Sequence, residues 1–268
     1  MHSMMSRYQP KLSKAPTELI QANGQPAFGL FDGSVAHFNL QNFVYHNLMD
    51  KKANALARYF HYKQFQFICI TGTDWLLAVA IADIRYVNSG FAYLYSFDTN
   101  QAISKGVLLP GALGCQMSDS PSAGEAKQHF GAYKVAIKAS LTHWQLIIDT
   151  KELKATLTIE KAGQMPLALC APTGYNGFTY TEKSNALKVS GKLELQGKSL
   201  DLTQALAGYD FSAGFMRRQT SWRWSSINAL VEGQAFGLNM AAGVNETGLC
   251  ENALWWDGQI QHLSLIHI

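Results

Sequence analysis

The sequence predicts an all-β protein, built as two antiparallel β-barrels or sandwiches side by side. Three observations carry this. Apolar runs of strand length recur about every 8–12 residues. Turn signals rich in Gly, Asn and Asp separate them, and only one short stretch has helical spacing. Successive side chains in a strand point to opposite faces, so a period of two marks a sheet with one buried and one wet face. A turn-rich boundary near residues 162–172 divides the chain into an N-terminal unit, 1–165, and a C-terminal unit, 166–262.

The 268 residues suffice for one large all-β domain or two small ones. Hydrophobic residues make up 47% and charged residues 15%, a globular rather than a disordered balance. The net charge of +3 is scattered, with no basic cluster, so no nucleic-acid partner is expected. No apolar run reaches the roughly 18 residues of a transmembrane helix. Residues 1–14 are polar and lack the apolar core of a signal peptide. The cysteines, Cys69, Cys115, Cys170 and Cys250, show no CxxC spacing. Reduced thiols in the cytoplasm are the expectation, with Cys69 as core packing.

Taken in order, residues 1–40 read as coil, with turns at Asn23-Gly24 and Asp32-Gly33. Asn42–Phe60 has the spacing of a helix. Phe65–Ile70 and Asp74–Ile84 form a hairpin across Thr71-Gly72-Thr73. Phe91–Phe97 alternates aromatic and small residues with period two. Residues 105–128 hold four Gly, two Pro and three Ser and read as one long loop. Strands follow at Tyr133–Ser140, His143–Asp149, Ala155–Lys161 and Met165–Cys170. Beyond the turn-rich stretch at Thr173–Gly177 come Phe178–Lys183, Leu187–Leu195 and Phe236–Ala242. Gln196-Gly197-Lys198 and Asp257-Gly258 are hairpin turns. Residues 263–268 match the translation of a transposon-end adapter used in sequencing libraries. The expectation is a truncated reading frame whose second barrel lacks its closing strands.

Residues 208–256 gather Trp, Arg, Asn and Glu, each large or rich in hydrogen-bonding groups and each in need of partners once buried. The stretch reads as a pocket lining or a buried polar network. Asp210 precedes Arg217 and Arg218 by seven and eight residues. An Arg218–Asp210 pair is feasible if the chain turns at Gly214, either as a satisfied buried site or as an orienting pair. Trp222 and Trp224 share one face of a strand and line either an apolar cavity or plain core. Glu246 and Glu251, beside Asn245 and Asn252, are the acid/base candidates. A carboxylic acid in a Trp-lined cavity is desolvated and can protonate an alkene or a leaving group. The alternative is that Glu246 caps a turn and Glu251 takes backbone hydrogen bonds. Tyr180 and Lys183 are candidates for the pocket rim.

Several segments together resemble the bacterial "domain of unknown function 2804" family. They are Phe31-Asp32-Gly33 with His37-Phe38-Asn39, Ala80–Ile84 leading to Phe91–Tyr95, Cys170–Lys183, and the 208–256 block. That family is distantly similar to two-domain, lipocalin-like proteins that include carotenoid 1,2-hydratases. The resemblance implies two antiparallel barrels with a pocket in or between them, and it fixes no activity.

The histidines show no HxH or HxxxH spacing, so no metal is expected. No GxSxG elbow, P-loop or strand-linked GxGxxG is present, so no nucleotide cofactor and no triad hydrolase is expected. The function expected first is binding of an apolar, lipid- or isoprenoid-like molecule. A hydratase or lyase using a buried carboxylic acid is the alternative, and an interaction protein with a Trp patch is the third.

Overall fold

The structure, a computed structural model, describes residues 10–161, 163–217, 219–243 and 249–264. It is almost entirely antiparallel β. In chain order the strands are β1 (Gly29–Phe31), β2 (Tyr62–Thr71), β3 (Trp75–Asp83), β4 (Val87–Ser96), β5 (Gln101–Pro110) and β6 (Cys115–Met117). Next come β7 (Gly124–Phe130), β8 (Tyr133–Ala139), β9 (His143–Asp149), β10 (Leu153–Glu160), β11 (Leu167–Thr173) and β12 (Gly177–Leu195). The last are β13 (Lys198–Ser199), β14 (Leu206–Phe215), β15 (Arg223–Val231), β16 (Gln234–Ala242), β17 (Ala253–Trp256) and β18 (Gln259–His262). Among the described residues the one α-helix is α1 (Ala55–His61). It is too short to cross a membrane, and no helix among the described residues is long and apolar enough to do so.

Fourteen strands form one curled sheet. Its main path is β5-β4-β3-β2-β14-β12-β10-β9-β8-β7-β6, with β1, β11 and β13 attached beside β12. The curl brings β4 against β7, where Gln128 Nε2 donates to Asn88 Oδ1 at 2.7 Å. Gly90 permits that approach, since a Cβ there would lie 2.9 Å from Gln128 Cγ. Inside the curl lies the main core, including Ile68, Val79, Leu94, Ile137, Leu146 and Phe211. The Trp144 and Tyr209 rings stack there at 4.2 Å.

The second unit is a four-stranded sheet, β15-β16-β17-β18, lying on the outer face of the first. The expected division at 165/166 falls between β10 and β11 of the large sheet. The changeover between sheets lies between Phe215 and Arg223. Two features dock the second sheet. Leu167, Leu169 and Ala171 of β11 pack against Ala253 and Trp255. A bulge at Asn185-Ala186 reaches across as well. Asn185 Nδ2 donates to Ser226 Oγ, Ile227 O and Leu238 O, while Ala186 N donates to Asn228 Oδ1 at 2.7 Å. Gly237 lets the two backbones close, because a Cβ there would stand 2.6 Å from Asn185 Cβ.

Three expectations from the sequence need correction. The helix over 42–60 shrinks to α1, because Asn47 Oδ1 accepts from Met49 N and Lys51 N and closes a turn that competes with the helix. The chain turns helical only at Asn54, whose side chain caps Ala57 N at 2.8 Å. The 105–128 loop is instead the end of β5, all of β6 and the start of β7. Its glycines punctuate strands, with Gly111 and Gly114 at φ of +56° and +66° between β5 and β6. Finally, Phe178–Lys183 and Leu187–Leu195 are one 19-residue strand, β12, bent by the 185–186 bulge.

Candidate functional site

The site follows from strand parity. On β14, Tyr209, Phe211 and Ala213 belong to the core within the curl. Asp210, Ser212 and Gly214 therefore face outward. Register lines up three rows on that outer face. The first is Lys183–Asp210–Phe67, the second Thr181–Ser212–Phe65 and the third Thr179–Gly214–Lys63, from β12, β14 and β2. Phe91 of β4 extends the first row through Ala80, and Ala82 extends the second.

The start of β15, the end of β16 and the segment before β17 cover these rows and enclose a cavity of about 530 Å3. Its apolar wall is Phe65, Phe67, Phe91, Met216, Trp222 and Trp224. Trp224 meets Phe67 edge-on at 5.4 Å. Its indole N–H donates to Asn239 Oδ1 at 2.8 Å, and Asn239 Nδ2 in turn donates to Glu251 O at 2.5 Å. Trp222 is 58% exposed and Trp224 39%, which places both at the mouth.

The floor of the cavity is ionic. Lys183 Nζ donates to Asp210 Oδ2 and lies 3.5 Å from Glu251 Oε2. The side chains of Lys183 and Glu251 are each 5% exposed, so this is a buried cluster. Burial pushes the Lys183 pKa down, but the charges of Asp210 and Glu251 outweigh it and hold it above the ordinary lysine value. The ammonium also lies 5.8 Å from the Trp224 ring centroid. Asp210 Oδ1 is buried with no hydrogen-bond partner. Two carboxylates thus share one cation beneath an aromatic wall.

Of the residues expected at the site, Asp210, Lys183, Glu251, Trp222 and Trp224 converge on this cavity. Arg218, Asn245 and Glu246 lie outside the described residues. Beside Asp210 stands the Lys183 ammonium, and β14 runs on through Gly214 to Phe215. Tyr180 is not at the rim. It stands three residues from Lys183, hence on the opposite face, and its hydroxyl donates to Glu182 Oε2 at 2.8 Å within the core. Asn252 is fully buried, and its Oδ1 accepts from Ala241 N at 2.6 Å, a tie between strands rather than a cavity wall.

Sequence reasoning missed Phe65, Phe67, Lys63 and Asn239. Phe65 and Phe67 stand two apart in an apolar run, the spacing of one strand face. Asn239 stands between Leu238 and Met240 within β16. A second polar cluster sits inside the curl, where Ser34 Oγ and Tyr180 hydroxyl both donate to Glu182. Burial raises the Glu182 carboxyl above its ordinary range, opposed by those two hydrogen bonds and by Lys161. Among the described residues, no three His, Cys, Asp or Glu side chains gather as a metal set.

Fold and site together define an all-β protein with a ligand-sized cavity between a large curled sheet and a smaller one. The chain belongs to the family described as "Domain of unknown function (DUF2804)", whose pattern matches residues 10–268. No functionally curated protein matches the sequence. Two solved structures are similar. Kievitone hydratase from Nectria haematococca is 11% identical, with a TM-score of 0.48 over 74% of this chain and 63% of that one. A protein assigned as AttH from Nitrosomonas europaea is 10% identical, with a TM-score of 0.45 over 76% of this chain and 68% of that one. The chain therefore spans less than two thirds of the length of the hydratase.

Proposed function

We propose that this protein binds an apolar small molecule, lipid- or isoprenoid-like, in the cavity between its two sheets. The observation that carries this reading is the cavity of about 530 Å3 walled by Phe65, Phe67, Phe91, Trp222 and Trp224. A volume of this size suits a small ligand, and such walls gain by removing apolar surface from water. Cys69, Cys115 and Cys170 are free thiols, which supports a reducing compartment such as the cytoplasm on this reading.

A second reading is favoured by one specific feature. Asp210 and Glu251 both reach the Lys183 ammonium, and among the described residues Asp210 Oδ1 has no hydrogen-bond partner. A carboxylic acid here could protonate an alkene held against the aromatic wall; water then adds to the cation formed and returns a proton to the carboxylate. That would be hydratase or lyase chemistry, with Lys183 orienting the acid.

Nile red, a neutral dye that brightens in apolar surroundings, tests the binding reading. We expect saturable one-to-one binding that drops about tenfold or more in Trp224→Ala, and that persists in Trp256→Ala, an exposed residue outside the cavity. Equal binding by all three proteins, or none by the wild type, rejects the cavity as the site. Once a natural ligand is known, Glu251→Gln and Asp210→Asn decide the second reading. Unchanged turnover in both would remove it.

A further inference from the structure

We infer that the ligand carries one anionic group, held at the cavity mouth by Arg217, Lys63 and Arg223. This rests on the binding reading above and adds the chemical class of the ligand to it.

The inner cavity is lined by Lys63, Lys183, Arg217, Asp210 and Glu251 as its charged groups. Both carboxylates are committed to Lys183 on the floor. An outer vestibule shares Arg217, Thr220 and Trp222 with the inner cavity and adds Arg223. Among the described residues, no acidic side chain lines the vestibule. Among those residues, Lys63, Arg217 and Arg223 are the charged groups at the mouth. Among the described residues, none of the three has a carboxylate partner. Lys63 Nζ makes only a long contact with Arg217 O, at 3.5 Å. A cluster of unpaired cations flanking an apolar cavity is repulsive when empty and is relieved by an anion.

Strand geometry adds a length. Lys63 lies four residues along β2 from Phe67, in the row of Gly214, while Phe67 shares its row with Lys183 and Asp210. At a strand rise of about 3.4 Å per residue, those rows are about 14 Å apart. Phe65 occupies the row between. A molecule anchored by its anion at Lys63 and Arg217 therefore lays its apolar body along Phe65 and Phe67 and ends over the ionic floor. The planar guanidinium of Arg217 suits a carboxylate or a phosphate monoester through paired hydrogen bonds. The three side chains are half-buried or exposed and can reorient onto such a group.

The test uses the full chain and compares dodecanoate, dodecyl phosphate and dodecanol by quenching of tryptophan fluorescence. The wild type should bind the two anions about tenfold or more tightly than the alcohol, and added salt should narrow that gap. The combined variant Lys63→Gln/Arg217→Gln/Arg223→Gln should bind all three alike, at the wild-type affinity for dodecanol. The altered side chains lie at the surface, and unchanged circular dichroism verifies the fold. Equal binding of anions and alcohol by the wild type overturns the inference and leaves the apolar cavity standing. A preference that survives in the combined variant also overturns it. Binding of none of the three overturns both the inference and the reading on which it rests.

Discussion

Replacing Lys183 by Met tests the most consequential interaction in the molecule. The Met stem follows the path of the lysine but removes the ammonium, so buried Asp210 and Glu251 lose the charge of Lys183. At the 3.5 Å separation from Glu251, an effective dielectric of about 20 gives about 5 kcal/mol for that pair alone. The cost of drying the ammonium offsets part of this. Measured losses on removing one partner of a buried pair are about 3–5 kcal/mol, and we expect a value in that range. The sign of the pH dependence follows. In the wild type the Lys183 pKa is raised, so its contribution is complete below the ordinary lysine value of 10.5 and disappears as pH rises through the folded value. In Lys183→Met the deficit is present at neutral pH and disappears as pH rises through the folded lysine value, where the wild type loses the same charge. Urea unfolding followed by fluorescence and circular dichroism, at neutral and strongly alkaline pH, measures both. Exchanging all three residues together, as Lys183→Met/Asp210→Leu/Glu251→Met, should cost less than Lys183→Met alone. A loss below about 1 kcal/mol for Lys183→Met, or a deficit independent of pH, would refute the reasoning.

Three further outcomes follow from the packing. Gly237→Ala drives a Cβ to within 2.6 Å of Asn185 Cβ, so it should cost about 1–3 kcal/mol and loosen the second sheet. Hydrogen exchange should then accelerate in β15–β18 and not in β8–β10. Asn239→Ala strands the Trp224 indole N–H, at a cost of about 1–3 kcal/mol in urea unfolding, and should weaken Nile red binding as Trp224 loses its anchor. The Glu182 carboxyl is raised by burial, so the folded state holds its proton more tightly than the unfolded chain. Wild-type stability should therefore carry a component that falls as pH rises from about 4.5, and Glu182→Gln should abolish that component in thermal melts across the acid range.

Much of this architecture is local in the sequence, and the rest is not. Period-two patterning marks β4 and β8 because each has one buried face, and Asp257-Gly258 specifies its hairpin because two residues suffice. The residue types of the site were legible as well. Lys183, Asp210, Glu251, Trp222 and Trp224 are side chains that a core admits only with partners. Their pairing was not legible. Lys183 meets Asp210 because β12 and β14 are neighbours in register, a choice made by the whole sheet rather than by spacing along the chain. Tyr180 shows the opposite case, since an odd separation from Lys183 within one strand already puts the two on different faces. The missing helix at 42–54 reflects competition that hydrophobic spacing does not register, because an Asn47 side chain can satisfy two backbone donors by itself.

The central claim is that the space between the two sheets exists to hold an apolar molecule. Native mass spectrometry of the protein, gently purified from cells, addresses it most directly. The account predicts a co-purifying small molecule that is apolar in body, is displaced by Nile red, and is lost when Trp222 and Trp224 are both changed to Ala. A well-folded protein that carries nothing and binds no apolar probe would contradict it, and would leave the aromatic wall as a surface for a protein partner.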